Sequence, residues 1–267
     1  MRGQKMKKTL ENFQELSTNQ KFLEYIATDT PFTYCGILRK NSTSILYLVE
    51  NRRTHEKIVL KRMRKRTLNR TKYKKRFEQE QQVLQALDLA YVPTWLGNGM
   101  VGKVPFFMMT YMEGENILEH GPYAALDALR IIKKVSSLLQ KIHKQGYVHR
   151  HLKPENIIFK HQHLAIVGFD QAAELTTPNE LTSEELYKQT TIYSDIDQLA
   201  RLFLALTDET GQLKWKKAEI ALEQRRYTKS INRLLSRTMG IRKLFSSLEE
   251  FDDAVENCLN ELCTPSM

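Results

Sequence analysis

The residues best suited to chemistry lie close together in the segment HRHLKPENIIF, residues 149–159. His151 carries an imidazole, the side chain that enzymes most often use as a general acid or base. Lys153 adds a positive charge, and Asn156 adds an amide that can bond a ligand or cap the local turn. The segment is therefore a candidate reactive loop, and the elements around it must hold it in place.

Hydrophobic spacing predicts mostly helices around this loop. An apolar stripe at helical spacing runs through ALDALRIIKKVSSLLQKIHKQG, and Gly146 follows where helices commonly end. NIIF and HLAIVGF then form a predicted hairpin, and SDIDQLARLFLAL forms a buried helix with Ser194 as its N-cap. The last helix begins at SLEE, where Ser247 and Glu250 have capping-box spacing.

The N-terminal half has a different pattern. Residues 8–29 are predicted to be helical, with Phe13, Leu16, Phe22 and Ile26 at helical spacing. Strand-like runs follow in FTYCGILRK, SILYLVEN and EKIVLKRM, then a helix in KRFEQEQQVLQALDLA and a strand in VPFFMMTYMEG. Strands with one helix, followed mainly by helices, predict an α+β chain in two lobes.

Composition narrows the class of protein. The 267 residues are 41% hydrophobic and 27% charged, as expected for a soluble globular chain with a sizeable core. No apolar run approaches the roughly 20 residues that span a bilayer, and the polar N-terminus does not resemble a signal peptide. The three cysteines, Cys35, Cys258 and Cys263, are not in metal-binding spacing. These features predict a reduced, cytoplasmic setting.

HRHLKPENIIF resembles the catalytic loop of eukaryotic-type Ser/Thr protein kinases, whose signature is H-R-D-L-K-x-x-N. His149, Arg150, Lys153 and Asn156 match that signature, and IVLK resembles the strand that carries the family's ATP-binding lysine. The resemblance implies a bilobal kinase-like fold. Its parts would be an N-terminal helical extension over residues 1–32, an N-lobe with a small antiparallel sheet and one helix over 33–113, and a mainly helical C-lobe over 114–267.

The resemblance also implies roles for residues elsewhere in the chain. Lys61 would steady the ATP phosphates, and Glu80 would be its ion-pair partner. Nucleotide-pocket positions would be Met109, Tyr111 and Met112. Structural roles would fall to a packed column of Leu84, His149 and Phe169 that rests on Asp195, and to a pair between Glu185 of SEEL and Arg242.

Several residues of the family pattern are replaced. His151 stands where the family has the Asp that accepts the substrate's proton, and IVGFDQA stands where it has D-F-G, so Gly168 replaces the Mg²⁺-binding Asp. A second alignment stays open, in which Asp170 is the metal ligand together with Asn156. No G-x-G-x-x-G precedes the lysine, and Val59 replaces an Ala that contacts the adenine.

These replacements predict a pseudokinase, that is, a kinase fold that transfers phosphate poorly and acts as a regulatory or scaffolding module for a protein partner. Help from a general base alone is worth about 10²–10⁴ in rate. ATP is the expected ligand, with or without Mg²⁺. Two alternatives stay open: a divergent active Ser/Thr kinase whose catalytic residues are His151 and Lys153, and a basic adaptor for an anionic partner.

The basic-adaptor hypothesis rests on residues 61–76, KRMRKRTLNRTKYKKR, which hold ten basic residues and no acidic one. Because the whole chain has 41 Lys and Arg against 31 Asp and Glu, this segment accounts for the net charge of +10. Its expected partner is an acidic protein, an anionic membrane surface or nucleic acid. The residues expected to make the contact are Arg64, Lys65, Arg66, Lys74, Lys75 and Arg76.

Overall fold

The structure, a computed structural model, describes residues 2–161, 163–176, 191–209 and 227–263, and their side chains from residue 12 onward. Its contacts divide the chain into two compact units, Met1–Met112 and Glu113–Met267. The first unit holds a five-stranded sheet with helices, and the second is mainly helical. The predicted α+β class is therefore confirmed. None of the described helices is long and apolar enough to cross a membrane.

The sheet of the first unit is built from β1 Phe32–Lys40, β2 Ser44–Asn51, β3 Lys57–Met63, β4 Trp95–Val101 and β5 Val104–Thr110. Its order is β1-β2-β3-β5-β4, with antiparallel neighbours throughout. The sequence predictions for β1, β2, β3 and β5 are confirmed, whereas β4 is not predicted because Gly97 and Gly99 interrupt its pattern. The described helical segments of this unit are α1 Arg2–Thr28, a 3₁₀ turn at Lys65–Thr67, and α2 Thr71–Ala86.

Helix α1 packs on the sheet through the part of the helix nearest its C-terminus. Phe22 and Ile26 are fully buried in the apolar core there, as their spacing predicts. Phe13 and Leu16 belong to the same predicted pattern, but they are 70% and 66% exposed. The reason is that the buried side of this part of the helix is polar and carries Glu15.

Glu15 forms a buried ion pair with Arg62 that links α1 to the sheet. Arg62 is fully buried, with its Nη1 2.8 Å from Glu15 Oε1 and its Nε donating to the Tyr47 hydroxyl at 2.7 Å. The Arg62 guanidinium also lies 5.1 Å from the centre of the Phe22 ring. Arg64 Nε lies 3.3 Å from the second Glu15 oxygen. The Glu15 carboxylate of α1 therefore compensates two cations, Arg62 in β3 and Arg64 directly after this strand.

Helix α2 packs on the opposite face of the sheet. Because side chains alternate across a strand, Lys61 of β3 points toward this face while Arg62 points toward α1. The Phe77 ring of α2 lies 5.1 Å from the Phe107 ring of β5. The buried residues of α2 are Phe77, Glu80, Val83 and Leu84. This arrangement brings a carboxylate of α2 to the strand that carries Lys61.

The described helices of the second unit are α3 Ala125–Lys144, α4 Ile192–Leu206, α5 Lys229–Thr238 and α6 Leu248–Cys263. Its short strands are β6 Glu115–Asn116, β7 Tyr147–Val148, β8 Ile157–Lys160, β9 His163–Ile166 and β10 Ala173–Glu174. β8 and β9 form the predicted hairpin. The loop between β7 and β8 contains the candidate reactive residues, so α3, α4 and the hairpin are the elements that position it.

Two predicted helix caps have different outcomes. Ser194 is not an N-cap, because α4 begins three residues earlier than that prediction requires, with Thr191 at its N-cap. The Ser194 hydroxyl instead donates to the Thr191 carbonyl at 2.8 Å. Ser247 does cap α6, since its Oγ accepts the Glu250 N–H at 3.2 Å. The Glu250 carboxylate reaches Ser246 instead of completing the reciprocal box.

Replacing Glu15 by Ala should lower the free energy of unfolding by about 3–5 kcal/mol, because it leaves Arg62 buried and charged without its carboxylate. Urea denaturation followed by circular dichroism measures the change. Glu24→Ala, at an exposed position of the same helix, is the matched control and should cost less than about 0.5 kcal/mol.

A double variant separates the charge from the packing. Glu15→Leu combined with Arg62→Leu should recover most of the lost stability, because apolar side chains then replace the ion pair. Equal losses for Glu15→Ala and Glu24→Ala would contradict the role given to the buried pair.

Candidate functional site

Lys61 and Glu80 form a buried ion pair in the first unit. Lys61 Nζ lies 2.6 Å and 2.5 Å from the two carboxylate oxygens of Glu80. Their side chains are 7% and 2% exposed, and the ammonium lies 5.9 Å from the centre of the Phe107 ring. β3 and α2 thus hold the Lys61 side chain in one place, with a carboxylate as its partner. The role of this lysine toward ATP stays a prediction.

Three residues predicted to line a nucleotide pocket, Met109, Tyr111 and Met112, lie on β5 or directly after it, in the same unit as this pair. Val59 and Met109 are directly opposite each other on β3 and β5 and are 5% and 6% exposed. Tyr111 and Met112 follow β5 and are half-buried. The Tyr111 N–H donates to the Lys57 carbonyl at 3.4 Å. Val59 and Lys61 are two positions apart on β3 and therefore share one face of the sheet.

Asp195 holds the start of the candidate loop in the second unit. Its carboxylate is fully buried at the beginning of α4 and accepts the backbone N–H groups of His149 at 2.9 Å and Arg150 at 2.7 Å. A His143 ring nitrogen lies 2.8 Å away. Burial alone would raise the pKa of Asp195, but the hydrogen bond and charge of His143 bring that pKa below its ordinary value. The loop is therefore tied to α3 and α4.

His149 is a buried, neutral part of the same loop. Its Nε2 lies 3.1 Å from the Val167 carbonyl, and its ring meets the Phe169 ring edge-on at 4.7 Å. Burial lowers the pKa of His149 to about 4, so the ring is uncharged at neutral pH. Its Nδ1 accepts the backbone N–H of His151 at 3.2 Å. The predicted packing between His149 and Phe169 is present in the structure.

His151 and Asp170 are brought into contact by this arrangement. His151 Nδ1 lies 2.7 Å from Asp170 Oδ1, and the two side chains are 15% and 33% exposed. Sequence reasoning treated these residues separately and did not find their contact. The signal was nevertheless in the sequence, because the family pattern loses a carboxylate where His151 stands and gains one at Asp170. The two replacements are complementary because an imidazole and a carboxylate can form a hydrogen bond with each other.

Gly168 lies directly against the side chain of Asn156. Gly168 has a φ of +80°, and a Cβ added there would come within 2.6 Å of the Asn156 Cγ, Nδ2 and Oδ1. Asn156 is fully buried and its Nδ2 donates to the His151 carbonyl at 2.8 Å. A carboxylate side chain at position 168 would therefore require Asn156 to move. No group of three or more His, Cys, Asp or Glu within the described ranges could hold a metal ion.

The remaining predicted positions are placed as follows. Lys153 is a half-buried residue of the loop, and Leu84 is 2% exposed in α2. Arg242 is exposed, and its backbone N–H donates to the Ser236 carbonyl at 3.1 Å. Glu185 lies outside the described residues, so its pairing with Arg242 stays a prediction.

Part of the basic run is internal, which corrects the predicted contact surface. Lys61 and Arg62 are buried. Arg64, which the adaptor hypothesis included, has a side chain only 12% exposed and donates from Nη1 to the Asn41 carbonyl at 3.1 Å. The burial of Arg64 depends on its contact with Glu15, which is far away in sequence. The sequence of the run alone therefore does not indicate that Arg64 is buried. The exposed basic residues of the run are Lys65, Arg66, Arg70, Lys72, Lys74, Lys75 and Arg76.

Comparison with known proteins agrees with this geometry. A family profile described as the protein kinase domain matches residues 40–231, which is more than half of the chain. The chain is 27% identical over 222 residues to a probable serine/threonine-protein kinase of Bacillus subtilis strain 168, YbdM, covering 80% of this chain and 85% of that protein. It is 29% identical over 140 residues to myosin light chain kinase A of Dictyostelium discoideum, covering 49% of this chain and 47% of that protein.

Solved structures give a likeness of fold. The kinase domain of Mycobacterium tuberculosis PknI has a TM-score of 0.66 and 19% sequence identity, covering 86% of this chain and 96% of that one. At this identity the likeness concerns the fold alone.

The contact between Gly168 and Asn156 predicts that Gly168→Ala destabilises the protein more than Gly146→Ala. Both glycines have positive φ, +80° and +84°, so both substitutions strain the backbone by about 1–3 kcal/mol. At Gly168 the new methyl group would collide with Asn156, whereas no described residue lies within 4 Å of a Cβ at Gly146. Thermal unfolding of the two variants measures the difference.

A double-mutant cycle provides the control for this steric account. Gly168→Ala and Asn156→Ala should together cost less than the sum of their separate costs, because the smaller side chain at 156 removes the collision. Additive costs, or equal costs for the two glycine variants, would contradict it.

Proposed function

The chain belongs to the protein kinase family, and we propose that within this family it is a pseudokinase, a regulatory or scaffolding module that binds ATP weakly. Relatives of the chain are named as serine/threonine-protein kinases. An active member would move the γ-phosphate of ATP to a protein hydroxyl with the help of a base and metal ions. The proposal is that this chain keeps the fold and the phosphate-binding lysine but has lost that help.

One observation carries the proposal, namely the side chain of Asn156 lying where a metal-binding carboxylate would begin. Gly168 offers no side chain, and an added Cβ would meet Asn156 at 2.6 Å. Metal ions neutralise the phosphate charge in kinases and contribute several kcal/mol to the transition state. The residues present therefore do not fit a Mg²⁺ site of the family pattern.

The contact between His151 and Asp170 supports the same conclusion. The alternative alignment would make Asp170 the metal ligand, but Asp170 Oδ1 lies 2.7 Å from His151 Nδ1. A metal ion would have to compete with that hydrogen bond. The family's proton-accepting Asp is absent at the same time, and such a base is worth about 10²–10⁴ in rate.

The pair of Lys61 and Glu80 supports the retention of ATP binding. The Nζ of Lys61 is within 2.6 Å of both Glu80 oxygens, so its position is set before any ligand arrives. A positioned ammonium group can make short, charge-assisted hydrogen bonds to phosphate oxygens. When bound, ATP would supply the phosphates, and the Lys61 side chain would hold them.

A divergent active kinase is the second candidate, and the geometry of His151 favours it. Asp170 bonds Nδ1, which orients the ring and leaves Nε2 as the nitrogen that could accept a proton, as in His–Asp pairs of hydrolases. In such a reaction a protein hydroxyl would give its proton to Nε2 while its oxygen bonds the γ-phosphorus of ATP and ADP leaves. Lys153 would neutralise the transferred phosphate.

The proposal predicts that ATP stabilises the protein without a metal. ATP at about five times its dissociation constant should stabilise by about 1 kcal/mol, or about 2–4 °C for a chain of this size. The measurement is thermal unfolding with millimolar ATP, in Mg²⁺ and in EDTA. Lys61→Met should abolish the shift, whereas Lys57→Met, at an exposed position of the same strand, should keep it.

The two parts of the proposal can fail separately. A shift that requires Mg²⁺ would contradict the loss of the metal site. An absent shift in the parent protein would contradict ATP binding and leave a scaffold without a nucleotide.

A further inference from the structure

The exposed part of the basic run is a separate feature that the proposed function does not use. Seven basic residues of this run are exposed, on the 3₁₀ turn and at the start of α2. We call them the α2 basic surface; they are Lys65, Arg66, Arg70, Lys72, Lys74, Lys75 and Arg76. The run as a whole accounts for the net charge of +10. The excess charge of this chain is therefore concentrated largely at one place.

Carboxylates of the protein do not neutralise this surface within the described residues. Glu15 pairs with Arg62 and Arg64 there, but no carboxylate in the described part of the chain forms an ion pair with any of the seven exposed residues. Arg66 donates to the Ser42 carbonyl, and the Arg70 guanidinium lies 5.8 Å from the centre of the Tyr73 ring. Both contacts leave a full positive charge. Among the described residues the surface is therefore cationic.

Folding stability does not explain the position of these charges. Helix α2 has no acidic residue in its first turn, and its N-cap residue Arg70 makes no capping hydrogen bond through its side chain. Cations at a helix N-terminus oppose the helix dipole, typically by about 0.3–1 kcal/mol each. Lys72 and Arg76 are also spaced to repel each other along the helix. An anionic partner would offset these unfavourable terms.

The side chains around the surface favour one kind of anion. Protein interfaces usually have aromatic or apolar centres and are depleted in lysine, whereas here Leu68 and Tyr73 are half-buried and four of the seven cations are lysines. Stable membrane binding commonly needs an apolar group besides charge. Single-stranded nucleic acid is usually held by exposed stacking rings, and Tyr73 already lies beside Arg70.

Duplex nucleic acid requires none of these additional features. Its backbone carries one negative charge per about 1.7 Å of helix axis, and lysines and arginines that contact phosphates supply most of non-specific affinity. Such contacts need cations, and they do not need apolar or base-reading side chains. We propose that the α2 basic surface binds the phosphate backbone of duplex nucleic acid without sequence specificity.

The test is fluorescence anisotropy of a labelled mixed-sequence DNA duplex with the full chain over a salt series. A surface that makes about six or seven phosphate contacts should lose about 10³–10⁴ in affinity between 50 and 200 mM salt. The test variant replaces four exposed lysines of the surface by Gln, namely Lys65, Lys72, Lys74 and Lys75. The matched control replaces four exposed lysines elsewhere by Gln, namely Lys103, Lys134, Lys144 and Lys243.

The test variant should bind the duplex at least about tenfold more weakly, and its slope of log affinity against log salt should fall by about 3–4. The control, with the same change in net charge, should keep the slope of the parent protein. Thermal unfolding should show both variants folded, since Lys and Gln have similar helix propensities.

Three results would overturn the proposal. The first is no binding of the duplex by the parent protein at low salt. The second is an equal loss in the test and control variants. The third is tighter, surface-dependent binding to poly-glutamate or to vesicles containing phosphatidylserine than to the duplex, because that would identify another class of anion. Each result leaves the pseudokinase proposal intact, since ATP binding through Lys61 is measured separately.

Discussion

The buried carboxylate of Asp195 is the constraint on which the candidate site depends. It sits at the start of α4 and accepts the backbone N–H groups of His149 and Arg150. Two backbone donors and a ring nitrogen of His143 satisfy a charge that would be costly to bury alone. These bonds fix the backbone of His149 and Arg150, the first two residues of the loop. They therefore also constrain the position of His151, the next residue.

The three replaced residues, His151, Gly168 and Asp170, are connected to one another directly or through Asn156. The loop carbonyl of His151 accepts from Asn156, Asn156 lies against Gly168, and the His151 ring bonds Asp170 two residues after Gly168. A change at one of these positions therefore alters the contacts of the others. An Asp at position 168 would meet the Asn156 side chain, and an Asp at position 151 would face the Asp170 carboxylate in place of the present hydrogen bond. The residues that depart from the family pattern are thus held by contacts with one another and with Asn156, in a loop whose start is tied to Asp195.

Much of the fold could be predicted from the sequence, because strands and helices follow local periodicity and the loop motif is distinctive. The contact of Lys61 with Glu80 also followed from the motif. The pairing of His151 with Asp170 was missed although the sequence replaces one carboxylate and adds another, because the two residues lie on separate segments and local spacing does not show that these meet. Glu15 was missed for the same reason. It lies in a separate helix and makes buried partners of cations that, in sequence, look like part of one exposed basic surface.

The most direct test of the central claim is phosphate transfer from radiolabelled ATP to a generic protein acceptor, in Mg²⁺ and in Mn²⁺. The account predicts that the parent protein and Lys61→Met give the same background. Transfer by the parent that exceeds the Lys61→Met background would contradict it. Loss of that excess in His151→Asn would then assign the base to His151 and favour the divergent active kinase.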